Sequence, residues 1–346
     1  MNNQENALTH MRREIDEIPQ AAARLIDGFA AGADEIGAAL GRRDPAFVAT
    51  IARGSSDHAA TFLKYAIELK AGRAVASLGP SVASIYHAPL KLDGALCLAI
   101  SQSGRSPDIV AMQQAAQRGG ALTLALTNDA GSPLAAESGH AVDIRAGSEH
   151  GVAATKTFVN SVLAGLMVLA AWTSDSALEA ALQRLPGQLA DAVVLDWRPL
   201  TADVVHKPSL FILGRGPAFA IAHEAALKFK ETCNQHAEAY SAAEVLHGPV
   251  SLVGSGFPVL ALAVRDAAEA MVVETADRLA DGGAAVHVTS TKAAKAYRLP
   301  ALDTGHPLTD ALALIVPFYG FVERLARDRG LDPDRPVRLK KVTETL

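Results

Sequence analysis

The chain repeats itself. Ala52-Arg53-Gly54 returns as Gly214-Arg215-Gly216, with Gly216 standing 162 positions after Gly54, and residues 123–127 return near 286–290, 163 positions on. Within each copy, short apolar runs alternate with segments of helical periodicity, the pattern of a parallel sheet covered by helices on both faces. The fold class read from this is α/β, with two doubly wound, five-stranded parallel sheets. In the first copy, strands are predicted at 47–52, 73–78, 95–100, 121–127 and 141–144. In the second, only three stand out, at 209–213, 258–264 and 284–289. Helices are expected over 11–19, 21–40, 58–71, 81–86, 107–118, 134–137, 157–174, 178–194, 220–232, 242–247, 267–281 and 308–328, with a kink or break at Pro317. The expected organisation is a helical segment at 1–40, a first domain at 41–175, a linker helix at 176–200, a second domain at 201–330 and an irregular tail at 331–346.

The copies differ at one place that matters chemically. After its apolar strand at 95–100 the first copy reads Ser101-Gln102-Ser103-Gly104-Arg105-Ser106, then opens a helix with Pro107 and Asp108. Ser106 suits the N-cap, Pro107 the first helical position, and Asp108 the positive end of the helix dipole. A strand, a hydroxyl-rich loop and a helix start can hold a phosphate on backbone N–H groups and serine hydroxyls. A plain βα turn with a well-capped helix is the competing reading for such a loop taken alone. The second copy has Arg265-Asp266-Ala267 there, so one anion loop per chain is expected.

Composition narrows the function classes. The chain has 346 residues, 49% hydrophobic and 20% charged, with a net charge of −5. No basic field points to nucleic acid. The polar N-terminus lacks an apolar signal core, and the apolar run at 162–172 is too short to span a bilayer. A cytoplasmic protein with no membrane partner is expected. Two distant cysteines, Cys97 and Cys233, read as core residues, and no spacing suggests a metal.

The second half holds the dense titratable cluster. Glu224, Lys228 and Glu231 fall at i, i+4 and i+7 on one helix, so they share a face. His236, Glu238, Glu244 and His247 follow. A solvated Glu–Lys face and a turn histidine before Gly248-Pro249 are the ordinary readings. A catalytic role for Glu231 or His247 is the alternative.

Taken together, these motifs resemble the isomerase part of glucosamine-6-phosphate synthase, which is built from two sugar isomerase (SIS) domains. The resemblance runs nearly end to end: MRREIDEIP at 11–19, Gly54-Ser55-Ser56, Ser101-Gln102-Ser103-Gly104, GVAATK at 151–156, Gly214-Arg215-Gly216, residues 224–231, HAEAY at 236–240, His247-Gly248-Pro249 and the tail. It implies that Ser56, Ser101, Gln102, Ser103 and Ser106 hold the substrate phosphate. Gly54, Ser55, Val152, Ala154 and Lys340 would line the sugar, Ala154 replacing a family serine. Glu231 would be the base of a C1–C2 proton shift, Lys228 its helper, and His247, from the partner subunit of a homodimer, the ring-opening group. Lys341 would be the tail lysine that forms an imine with the keto sugar. Neither a metal nor an organic cofactor is expected. Position 2 is Asn where the synthase's glutaminase domain carries its cysteine nucleophile, and the isomerase-like sequence starts by about residue 8. The expectation is therefore the reverse, ammonia-releasing reaction of a glucosamine-6-phosphate deaminase. A fructosamine-6-phosphate deglycase, a galactosamine-6-phosphate deaminase and a non-catalytic SIS regulator are the alternatives, with Ala154 and Arg105 the positions to examine for substrate choice.

Overall fold

The computed structural model describes residues 8–339 and 341. Ten strands form two parallel sheets. β1 (Phe47–Ile51), β2 (Val75–Ser77), β3 (Ala95–Ile100), β4 (Leu122–Thr127) and β5 (His140–Asp143) lie in the order β2-β1-β3-β4-β5. β6 (Ser209–Gly214), β7 (His236–Ser241), β8 (Pro258–Ala261), β9 (Ala285–Val288) and β10 (Tyr297–Arg298) lie in the order β10-β9-β8-β6-β7. Counted within its own copy, each sheet has the order 2-1-3-4-5, the doubly wound arrangement. The strand order reverses between the first and third strands, where such sheets open a crevice for ligands. The helices are α1 (His10–Asp16), α2 (Ile18–Arg43), α3 (Ser55–Lys70), α4 (Ser81–Ser84), α5 (Pro107–Arg118), α6 (Pro133–Ala136), α7 (Lys156–Thr173), α8 (Ser176–Val193), α9 (Thr201–Val204), α10 (Pro217–Cys233), α11 (Glu269–Asp281), α12 (Pro307–Ala313) and α13 (Ile315–Asp328).

Two compact units hold these elements. One comprises residues 20–147 and 157–186 around the first sheet. Its core packs Ala49, Ile51, Cys97, Ala99 and Ala125 of the strands against Ile109, Met112 and Ala116 of α5. The other takes the described parts of residues 1–19, 148–156 and 187–341 around the second sheet, with Phe211, Leu213, Val259, Ala261 and Val288 against Val272, Ala276 and Leu279 of α11. Helix α1 and the GVAATK loop, which precede the second copy in sequence, thus belong to its unit.

The repeat extends to the backbone. Gly54 precedes α3 with φ 57° and ψ −134°, and Gly216 precedes α10 with φ 59° and ψ −137°. Both copies turn from first strand to first helix through the same glycine conformation, which a side chain disfavours.

Several element boundaries depart from the sequence pattern, each for a local reason. Pro19 does not end the first helix but is the second residue of α2, where its missing N–H costs nothing. Helix α3 begins at Ser55, three residues before the apolar periodicity announces it. The expected 308–328 helix does break ahead of Pro317, into two helices meeting at Leu314. The ring of Pro317 would crowd the carbonyl of Ala313, so the first helix stops there. Strands β7 and β10 were not legible. Both are sheet edges, and β7 (HAEAYS) exposes two polar side chains, His236 and Glu238, unlike a buried parallel strand. Helix α7, by length and composition, is long enough to cross a membrane, contrary to the estimate from its apolar run, but 83% of it is buried inside the protein. Its apolar surface is used by the chain itself, for instance where Gly165 meets Leu63.

Candidate active site

The hydroxyl loop caps the carboxyl end of β3 at the reversal point of its sheet. Ser101 Oγ accepts from Gly104 N (3.2 Å), and Ser103 Oγ accepts from Arg105 N (3.3 Å). A hydroxyl carries one donor and two acceptor lone pairs. With the acceptor side engaged by the loop's own amides, each O–H is left to donate elsewhere. Ser106 sits at the N-cap of α5 in extended conformation, as its sequence position predicts, but its hydroxyl makes no capping bond, so it too is uncommitted to the helix. Gly104 has φ 60°, and a Cβ there would run into Ser132 and Thr127. Only glycine closes this loop.

The neighbouring loop after β1 carries Gly54, Ser55 and Ser56 at the start of α3. Arg53 ties the two loops together: its Nε donates to Asp108 Oδ2 at 2.6 Å, and its guanidinium pairs with the same carboxylate. Asp108 is fully buried while Arg53 stays about half exposed. The guanidinium cancels a carboxylate that would otherwise repel an anion. Arg105, beside the serines, pairs with Asp129 at 2.7 Å.

The second copy lacks this loop. Glu269 stands 163 positions after Ser106, and its carboxylate accepts from Ser290 Oγ (2.8 Å) and pairs with Lys292. Burial alone would raise the Glu269 carboxyl, but those two partners outweigh it and hold it below the usual range. The start of α11 therefore carries the protein's own carboxylate.

The cluster on α10 is not a solvated face. Glu224 and Lys228 side chains are 0% exposed, and Glu231 is 21% exposed. Lys228 Nζ pairs with Glu224 Oε1 at 3.4 Å and donates to Glu231 Oε2 in a shorter contact. Tyr319, on α13, donates its hydroxyl to Glu224 Oε1 at 3.1 Å. Burial opposes a charged Lys228, yet the two flanking carboxylates prevail and push its pKa above the ordinary value. Burial and the Glu224 charge drive the Tyr319 phenol well above 10, so it remains an O–H donor. The row reads Tyr–Glu–Lys–Glu, and only its last member reaches the surface.

A second charged group lies in the same unit. Lys341 Nζ donates to Glu149 Oε2 (3.1 Å) and to the Gly151 carbonyl (2.5 Å). Glu149, whose side chain is fully buried, also accepts from Thr155 N at 3.0 Å. Glu14 of α1 accepts from the amides of His150 and Gly151. Burial, reinforced by the charge of Glu149, raises the Glu14 carboxyl above 4.5 despite those bonds. Val152 and Ala154 are half-buried in the same loop.

His247 ends a short 3-10 turn, Glu244–His247, and is exposed; its side chain has no hydrogen bond or ion pair with Glu231, Lys228 or Lys341. Lys340 lies outside the described residues. Both cysteines are core residues, as expected, with burial pushing Cys97 up to about 12 and Cys233 to about 11. Among the described residues no cluster of three metal-binding side chains occurs. Sequence reasoning missed Glu149, Tyr319, Glu14 and the Arg53–Asp108 pair. Glu149 had a signal, as the one carboxylate in the loop at 147–156.

Comparison with known proteins agrees with this architecture. The SIS domain model matches residues 46–171 and 204–305. The glutamine–fructose-6-phosphate aminotransferase (isomerizing) of Sulfurisphaera tokodaii is 31% identical over 96% of this chain and 56% of that protein. The Symbiobacterium thermophilum protein of the same name is 33% identical over 96% and 58%. The chain thus spans little more than half the length of these curated relatives. A solved structure from Silicibacter pomeroyi DSS-3, provisionally described as a phosphosugar isomerase, is 59% identical with a TM-score of 0.92, covering 94% of this chain and 100% of that one. The C-terminal domain of glucosamine-fructose-6-phosphate aminotransferase from Francisella tularensis superposes with a TM-score of 0.84 at 25% identity, over 97% and 100%. Glucosamine-6-phosphate deaminase from Thermotoga maritima shares the fold, with a TM-score of 0.79 at 20% identity, over 97% and 100%. With the phosphosugar-isomerase fold in both halves and the family model matching each, the chain belongs to the SIS-domain family.

Proposed function

We propose that the protein is an aldose–ketose isomerase of amino-sugar phosphates acting as a glucosamine-6-phosphate deaminase. The observation that carries this reading is the Glu224–Lys228–Glu231 row, sealed from solvent except at the Glu231 side chain. An aldose–ketose shift needs one carboxylate able to take a proton from C2 and return it to C1. Lys228, kept charged by its two neighbours, fixes that carboxylate by a hydrogen bond, and Glu224 with Tyr319 fixes Lys228 in turn.

In the reaction, the hydroxyls of Ser101, Ser103, Ser106 and Ser56, with Gln102, are assigned to the phosphate, whose binding energy positions the reacting carbons. His247, in a homodimer, is assigned to ring opening in the partner copy; histidine titrates in the range that proton transfer to a ring oxygen requires. Glu231 moves the C2 proton to C1, converting the open aldehyde and its C2 amine into the C2 imine of fructose 6-phosphate. Water adds to the imine carbon and ammonia leaves. Lys341, bound as an ammonium to Glu149, is suited to orienting a substrate oxygen through its charge rather than to attacking a carbonyl.

A regulator that only binds sugar phosphate would need the hydroxyl loop but not the buried charged row.

The test is conversion of glucosamine 6-phosphate in deuterated water followed by proton NMR. Transfer through a solvent-exchanging Glu231 predicts deuterium at C1 of fructose 6-phosphate, and neither deuterium nor product with Glu231→Gln. Turnover of galactosamine 6-phosphate or a fructosamine 6-phosphate, with glucosamine 6-phosphate inert, would move the assignment to that substrate.

A further inference from the structure

Helix α1 is far from the catalytic row in sequence, yet it touches both segments that hold Lys341. At its start, Asp334 of the tail reaches two α1 amides, with Oδ2 accepting from His10 N (2.6 Å) and Oδ1 from Met11 N (2.8 Å). Thr9 Oγ1 accepts from Arg12 N and donates to Glu323 Oε1 on α13, each at 2.9 Å, and Glu323 is held in turn by Arg327. Further along, Glu14 of α1 holds the His150 and Gly151 amides, and the loop carrying them supplies both partners of Lys341 Nζ: the Glu149 carboxylate and the Gly151 carbonyl. The contacts close a circuit from the tail through α1 to the loop and back to the tail.

We propose that α1 is the template that seats the tail, and that Asp334 is a positioning residue acting through Lys341. The inference rests on the assignment of Lys341 to the reaction. Without Asp334 the last fixed point before Lys341 is Leu331, whose amide donates to the Ala326 carbonyl at 2.9 Å, ten residues away instead of seven. Chain statistics alone make the seated tail rarer by somewhat less than about 2-fold when the free segment lengthens this much. Loss of two charge-assisted hydrogen bonds adds a larger factor. The carboxylate itself is needed because it presents one oxygen to each amide. An asparagine at this position has a single acceptor, and its amide nitrogen would face a second N–H.

Steady-state kinetics on Asp334→Ala, Asp334→Asn, Lys341→Ala and the double variant Asp334→Ala/Lys341→Ala test this. The expected result is a fall in kcat of about tenfold for Asp334→Ala. Asp334→Asn should fall between it and the wild type. The Kd for inorganic phosphate should stay unchanged, and Asp334→Ala should have no further effect once Lys341 is gone. Losses that multiply in the double variant, or a wild-type kcat for Asp334→Ala, would overturn the proposal. A second readout does not depend on the substrate. Hydrogen exchange of Asp334→Ala should speed up at residues 335–339 and at the His150 and Gly151 amides, while β6, β8 and β9 keep their protection. Unchanged exchange at both sites would overturn the seating role even if the protein acts on another sugar phosphate. Changed exchange in a protein inert towards glucosamine 6-phosphate would instead fault the assigned reaction.

Discussion

Lys228 is the residue on which the charge balance of the candidate site turns. It is fully buried between two carboxylates, and removing one partner of a buried ion pair commonly costs about 3–5 kcal/mol, because the remaining charge is left without compensation. Lys228→Met, which keeps the volume and deletes the charge, should therefore lower stability to urea by about that amount. Adding Glu224→Leu should recover part of the loss, since an apolar replacement for a whole pair is often tolerated. Glu14 makes a prediction with a definite sign. Its carboxyl is raised by burial, so its contribution to stability is full below 4.5, the unperturbed value, and declines as pH rises through the raised one. Glu14→Gln retains an acceptor for the loop amides and does not titrate. Its deficit against the wild type should be largest near about pH 4 and shrink towards about pH 7.5 in urea titrations. At this scale the sequence made visible the residues whose partners are near in the chain: Glu224, Lys228 and Glu231 announce themselves by helical spacing. It hid those whose partners are distant. Tyr319 meets Glu224 across 95 positions and Lys341 meets Glu149 across 192, and no local pattern encodes either.

The hydroxyl loop shows how an element can be readable from sequence in its place and not in its use. Strand β3, the loop and α5 lie where the apolar run, Ser106 and Pro107 put them. What the sequence does not reveal is that the serine lone pairs serve the loop's own amides and that the Ser106 hydroxyl leaves the helix uncapped. Gly104→Ala should break this arrangement. The new methyl group meets Ser132 and Thr127 at a φ that side chains avoid, a strain of about 1–3 kcal/mol. The variant should lose phosphate binding by calorimetry while the second sheet, monitored by hydrogen exchange, is unaffected. The elements that escaped sequence reading have a common cause. Edge strands β7 and β10 are too polar or too short to carry a strand's hydrophobic signature, and their place is decided by pairing with β6 and β9.

At the scale of the whole molecule, the repeat separates architecture from chemistry. Gly54 and Gly216 hold one backbone conformation in the two copies, each with open space around the position a Cβ would take. Alanine at either should cost a similar amount, about 1–3 kcal/mol from φ alone. Only Gly54→Ala should also weaken binding of a sugar phosphate, because only its copy carries the hydroxyl loop. Equal effects of both substitutions on binding would mean that the copies share the ligand chemistry. The two-sheet plan follows from the alternation of apolar runs and helical segments. The grouping of α1 and the GVAATK loop with the second sheet could not be inferred from chain order, since contacts between distant segments decide it. The most direct measurement is ammonia release from glucosamine 6-phosphate by the purified protein, with Glu231→Gln in parallel. Release by the wild type and its loss in the variant are predicted. Release that survives Glu231→Gln, or none from a wild type that binds the sugar phosphate, would contradict the account.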